Sequence, residues 1–400
     1  MNLITKMVSP TKHINALLRR RVLLRLPLRL LTGLSLAGLL GACSWFSAST
    51  KPQPAELVTL STKSVLTPLW TVSLSSAGVG FRPVAAGDSV IAAAADGTVI
   101  RVAAKTGKVV WRQSLPQDLV AGVGSDGETA VVAARDGSLI ALDSTGKTRW
   151  SVALGVEVVT VPAVGEGMVV VRGSDNRISA FELESGKRRW TLQRQAPTLM
   201  LRQTGAINID GSTVYAGLPG GRMLAMNAQN GAVRWEVAVT QARGSNEIER
   251  IADVVALPVV NGRDVCAASF QGRLACFETS TGRGLWVRDM SSVAGLDLDS
   301  AAAYVVDDKD QVHAYSRSGA SLWRNDKFSF RGLTRPLASG PFVVVGDASG
   351  FVHAVTREDG AVAGRIATDG SAILAGPILV DGILVVQTSA GSLAGFSAQP

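Results

Sequence analysis

The sequence is poor in the side chains from which most catalytic and metal sites are built. Its 400 residues include three histidines and three cysteines. No two cysteines are adjacent, and no Cys/His spacing matches a zinc site. Aromatic residues make up 5% and charged residues 18%. A membrane-spanning run is lacking too. The apolar stretch Leu30–Leu40 is interrupted by Thr32, Gly33, Ser35 and Gly38, well short of the roughly 20 apolar residues that a spanning helix needs. The apolar fraction of 46% excludes a disordered chain.

The net charge of +8 and pI near 9.7 suggest a nucleic-acid or membrane-surface partner. Its distribution removes that reading. Lys6, Lys12, Arg19, Arg20, Arg21, Arg25 and Arg29 lie within residues 1–42, which hold no Asp or Glu. Seven of the eight net charges belong to that segment, so the remainder carries +1 and gives no sign of nucleic-acid binding.

A basic segment followed by a short apolar run is the layout of a secretory signal. The run ends in Leu40-Gly41-Ala42-Cys43, which resembles the lipobox of bacterial lipoproteins. That resemblance implies cleavage before Cys43 and lipidation of Cys43, leaving 358 residues (400 less 42). Acyl chains at roughly 0.8 kcal/mol per buried methylene then hold the protein on a membrane. Ser44, rather than Asp, follows the cysteine, which by the same resemblance implies the outer membrane. Residues 44–63, with Ser44, Ser49, Pro52 and Pro54 among them, read as a flexible tether.

What the rest of the chain has is a repeat. Thr106-Gly107-Lys108-Val109-Val110-Trp111 recurs as Thr145–Trp150 and Ser185–Trp190, and less strictly at Gly231–Trp235, Gly282–Trp286 and Gly319–Trp323. A seventh copy, Gly360–Gly364, has lost its Trp. Nine or ten residues before each of these glycines lies a hairpin marker, such as Asp96-Gly97, Asp136-Gly137 or Gly220-Gly221. Gly and Asn suit such turns because they tolerate positive φ. An apolar run precedes each marker (Met168–Val171, Phe342–Val345), and a further strand often opens on Pro, as at Pro83, Pro162, Pro258, Pro336 and Pro377.

Four strands per roughly 40 residues is the blade of a β-propeller. The hairpin marker occurs eight times, the last being Ala390-Gly391, and no Trp strand follows it. One unpaired Trp strand stands upstream, at Leu69–Leu74. The sequence therefore predicts an all-β, eight-bladed propeller of four-stranded antiparallel blades over residues 64–400. The strand around Trp70 closes the ring and removes two free sheet edges.

Recurring Trp residues read as structural packing between blades. The Trp-and-Gly pattern resembles the repeats of pyrroloquinoline-quinone enzymes, which raises a quinone-dependent periplasmic dehydrogenase as one alternative; a propeller lipoprotein of another envelope complex is the other. Such enzymes add long insertions, an adjacent cysteine pair and an acidic calcium site. Here nearly all of the body is blade. No catalytic residue, cofactor or metal ligand is assigned, and the expectation is of a non-enzyme. Cys266 and Cys276 flank Gln271-Gly272; they form either a cross-strand disulfide in an oxidising compartment or two buried thiols. His313 and His353 occupy equivalent repeat positions, which argues for a structural role. Gly122-Val123-Gly124-Ser125-Asp126-Gly127 matches a dinucleotide motif formally, but no helix follows it, and it reads as a turn.

Loops on a rigid scaffold are the usual place for binding. The extra length of the two longest repeats lies in Gln193–Gly205 and Thr240–Ala256. A lipoprotein with a short tether and an eight-bladed, quinoprotein-like propeller is similar to the BamB family of the outer-membrane β-barrel assembly machinery. In that family a Leu-x-Leu-Arg element and nearby acids contact the POTRA domains of BamA. Carried over, the resemblance implies partner contacts through Leu199, Leu201, Arg202 and Asp253. The family's second acid, two residues later, is Val255 here. The resemblance also implies unfolded outer-membrane β-barrel precursors as clients and a lipid-anchored position facing the periplasm. Exposed leucines beside an arginine suit an interface hot spot.

Overall fold

The structure is a computed structural model that describes residues 52–60, 64–158, 160–195, 197, 199–201 and 206–399. Contacts divide the chain into residues 1–52 and 53–400, and every described strand lies in the second unit. The lipidation position Cys43 lies outside the described residues.

Among the described residues there are thirty-two strands in eight four-stranded antiparallel sheets, and no helix. The blades span Val84–Ser114, Leu119–Ala153, Ala163–Leu192, Ile207–Ala238, Val259–Asp289, Gly295–Asn325 and Leu337–Ala367, numbered one to seven. Blade eight takes three strands from Ile378–Ala398 and its fourth, Leu66–Ser73, from upstream. That strand pairs antiparallel with Ser392–Ala398, setting Leu66 opposite Ala398 and Ser73 opposite Ser392. The predicted closure by the strand around Trp70 is therefore observed.

The sequence pattern explains each blade. Every predicted hairpin carries a residue with positive φ, including Asn176 (62°) and Asp310 (60°) where the repeat lacks a glycine, and Gln271 (48°), which takes that conformation directly before Gly272. Each of the five prolines directly precedes the first strand of its blade, where a missing N–H removes no ladder bond. The second strands read as unbroken apolar runs because both of their faces are covered. In Ser89–Ala93, Val90 and Ala92 pack toward blade eight while Ile91 and Ala93 pack toward blade two. Eight such apolar clusters, one at each junction between neighbouring blades, make up the core.

The repeat Trp and the repeat Gly turn out to be one device. Each Trp indole donates a hydrogen bond to a carbonyl of the next blade: Trp70 to Ala104, Trp111 to Ser144, Trp150 to Leu183 and Trp190 to Ala228. Trp235, Trp286 and Trp323 do the same with Thr279, Arg317 and Arg357. The ring then lies over the glycine of that next blade. A Cβ on Gly107, Gly146, Gly186 or Gly231 would stand 2.6–2.9 Å from it. The lost Trp of the seventh copy also has a reason. A Cβ on Gly364 would meet Ser64 Oγ at 2.8 Å and Val65 Cγ2 at 2.9 Å, so the incoming N-terminal strand occupies the space an indole would need.

The predicted tether is firmer than a Ser/Pro-rich composition suggests. Ala55 donates its N–H to Ser329 O and accepts from Arg331 Nη1, and Val58 O accepts from Arg365 Nη1. Over these residues the segment is held by blade-borne arginines and is not a free chain.

Cys266 and Cys276 are directly opposite one another, with Cα atoms 4.1 Å apart, and form a disulfide. His313 and His353 each hydrogen-bond an aspartate six residues upstream, Asp307 and Asp347, at 2.9 Å. The other oxygen of each aspartate accepts backbone N–H groups of the hairpin between them. Both histidines therefore brace a turn. Burial holds the His353 pKa below its usual value despite Asp347. Burial tends to raise the Asp347 pKa, but bonds from His353, Phe351 N–H and Arg331 outweigh it and hold the carboxyl low.

Candidate partner-binding site

The two long connections flank blade four. The first follows strand Arg188–Leu192, and the second lies between Val233–Ala238 and Val259–Asn261. They are some fifty residues apart in sequence, and the fold brings them together. Leu201 N–H donates to Asp253 Oδ2 at 2.6 Å. Pro197 and Leu199 from the first loop and Glu247 and Arg250 from the second line a shared cleft of about 270 Å³.

Leu199 is 43% exposed and Leu201 is half-buried. Arg202 lies outside the described residues. Asp253 is placed differently from the expectation of a partner contact. It is 3% exposed, and its second oxygen accepts Gly220 N–H at 2.9 Å. Its carboxylate is used up inside the ring, tying the first loop to the Gly220-Gly221 hairpin. In this placement Asp253 holds the first loop from within the fold. An acid in a polar loop reads as exposed in sequence; two backbone donors converging from distant segments are not visible there. Val255 is buried, 8% exposed, and presents nothing to a partner.

The sequence reading also missed Ile248, 68% exposed at the tip of the second loop. Its turn is pre-shaped by local bonds. Glu249 N–H donates to Asn246 Oδ1 at 2.9 Å, and the Glu249 carboxylate accepts Ser245 N–H at 2.7 Å. Reciprocal bonding of this kind satisfies donors that a short turn leaves orphaned. Leu199 and Ile248 thus stand exposed on adjacent, internally braced loops. Large apolar groups in such positions lose free energy to water unless something covers them.

A second feature beside the loops was also missed. Arg172 ends the second strand of blade three, where the other blades have an alanine, a glycine, an apolar residue or a glutamine. It is 1% exposed, and its Nη2 donates to Gly217 O of blade four at 2.5 Å. Burial pushes its pKa down to about 10, partly offset by Asp253, so it is charged at neutral pH. A lone arginine closing the run Met168–Val171 was the available signal.

Geometry thus defines an eight-bladed propeller carrying a braced, partly apolar two-loop surface, the form of a binding scaffold. The profile of the family described as "Outer membrane protein assembly factor BamB" matches residues 53–120, 95–325 and 309–399. The chain belongs to this family. An outer membrane protein assembly factor BamB of Bordetella pertussis is 41% identical over 358 residues, covering 88% of this chain and 93% of that one. One from Burkholderia pseudomallei is 41% identical over 331 residues, covering 82% and 87%. The crystal structure of BamB from Moraxella catarrhalis superposes with a TM-score of 0.76 at 30% identity, covering 83% of this chain and 99% of that one. A quinohemoprotein alcohol dehydrogenase from Pseudomonas putida HK5 superposes at 0.66 with 14% identity, covering 84% and 76%. That likeness concerns the fold alone.

Proposed function

We propose that this chain is a non-catalytic scaffold lipoprotein of outer-membrane β-barrel assembly, docking on the POTRA domains of BamA and assisting delivery and insertion of β-barrel precursors. Membership of the assembly-factor family makes it an accessory subunit of that machinery. The observation that carries the docking reading is the meeting of the two loops flanking blade four. Leu199 and Ile248 are exposed there, and Leu201 is fixed by Asp253. Apolar anchors on rigid supports, beside the Arg202 that follows in sequence, have the composition of a hot spot. Acylated Cys43 holds the ring at the periplasmic face of the outer membrane, and the bonded segment Ala55–Val58 limits its reach from that anchor.

The test is capture from detergent-solubilised envelopes with the tagged full-length chain. Wild type recovers BamA, and Leu199→Ala with Leu201→Ala recovers much less. Wild type recovering none overturns the partner assignment, and equal recovery by the variant overturns the site.

A further inference from the structure

Beside the docking loop is a cavity of about 310 Å³ whose wall includes Arg172, Asn176, Arg194, Leu218, Arg222 and Glu236. Its charge is unbalanced. Glu236 accepts from Arg194 Nη2 at 2.8 Å and from Arg222 Nε at 2.5 Å, so one carboxylate serves two guanidinium groups. The third, Arg172, has no carboxylate within hydrogen-bonding reach. Asp253 lies near enough to favour its charged form, but both Asp253 oxygens are bound to backbone N–H groups. Even with Asp253 included, three cations face two acids.

The hydrogen bonds are incomplete as well. Arg172 Nε and Nη1 and Arg194 Nε are buried with no partner among the described residues. A buried, charged donor without an acceptor is costly, and a guanidinium edge matches a carboxylate in two parallel bonds. The cavity is far larger than the roughly 30 Å³ share of one water.

We propose that this cavity is a carboxylate-binding pocket, filled by an acidic side chain of the polypeptide that docks on the adjacent loops. The proposal rests on the docking reading for the identity of its occupant, and on the cavity alone for its chemistry. Glu236 and Asp253 in and behind the wall repel a dianion, so a singly charged carboxylate suits the site better than phosphate. The pocket opens beside Gln193–Gln195, where the loop bearing Leu199 begins. A chain covering Leu199 has only a short distance to place an Asp or Glu side chain between the arginines.

The probe is a doubly capped peptide, acetyl-Gly-Gly-Glu-Gly-amide, which carries a single carboxylate, titrated at constant ionic strength into the full-length lipidated chain in detergent and followed by thermophoresis. Binding should saturate. Arg172→Met should weaken it on the order of tenfold. Glu236→Gln, which frees two guanidinium groups, should strengthen it about threefold. The opposite signs separate a pocket from general damage, and Glu236→Gln decides the matter if Arg172→Met does not fold. No saturation, indifference to both variants, or saturation by inorganic phosphate without the peptide overturns the proposal. If BamA capture fails while the peptide still binds, the docking reading falls and the pocket stands.

Discussion

Replacing Gly186 with alanine tests how neighbouring blades are joined. Gly186 has a φ of +70°, and a Cβ there would stand 2.8 Å from Cδ2 and Cε3 of Trp150 and 3.0 Å from Val152 Cγ2. Trp150 belongs to the preceding blade and is fixed by its 2.8 Å bond to Leu183 O, so the ring cannot retreat without losing that bond. Two costs add. Holding an L-residue in the left-handed region costs about 1–2 kcal/mol. Forcing an extra methyl into a packed junction costs about 1–3 kcal/mol. The expected loss is therefore about 2–5 kcal/mol. Gly167→Ala isolates the first cost, because Gly167 has a φ of +67° and nothing within 4 Å of a Cβ. Urea denaturation of both variants beside wild type provides the measurement. Gly186→Ala should be the less stable by at least about 1 kcal/mol. Equal losses would falsify the claim that the repeat glycine exists to receive the neighbouring indole.

Two further outcomes follow from the structure and one from the sequence. His353 has a folded pKa below its unfolded value, so its neutral form stabilises the fold fully above the unfolded pKa of about 6.5, and that contribution declines as pH falls from there toward the folded value. Asp347, held low, adds a second loss at more acidic pH, below the ordinary carboxylate range. His353→Gln should flatten the stability profile below the unfolded imidazole value of about 6.5, and an unchanged slope contradicts the assignment. Cys266→Ser with Cys276→Ser should lower stability by about 2–3 kcal/mol; an unchanged urea midpoint would mean that the cross-strand bond contributes nothing. Cys43→Ala should abolish acylation, and persistent lipid labelling would refute the lipobox reading.

Much of the fold was legible because a propeller writes its architecture into the sequence many times over. The hairpin glycines, the apolar second strands and the Trp strands recur, so a single irregular copy does not hide the period. Ring closure was legible because an unpaired Trp strand at Leu69–Leu74 answered a missing one after Ala390-Gly391. The loss of Trp at Gly364 was visible but not interpretable, since its cause is the crossing of Ser64 and Val65 from the other end of the chain. The site was legible by length and resemblance more than by physics. Two over-long connections marked it, and Leu199 is exposed there. The internal bonding of Asp253 was not legible because its two partners, Leu201 and Gly220, come from segments that only the folded ring brings together. Arg172 was missed for a similar reason. One arginine at the end of a strand means little until its buried nitrogens and the neighbouring Arg194 and Arg222 are seen around one cavity.

The central claim is that the loops flanking blade four dock on BamA through apolar anchors held in place from within. The most direct measurement is the Kd between the full-length chain in detergent and the BamA POTRA region, for wild type, Leu199→Ala with Leu201→Ala, and Asp253→Asn. The double variant should bind about thirtyfold more weakly, the equivalent of a hot-spot loss near 2 kcal/mol. Asp253→Asn should weaken binding by a smaller factor, although residue 253 is itself buried. Wild-type affinity in both variants would contradict the account.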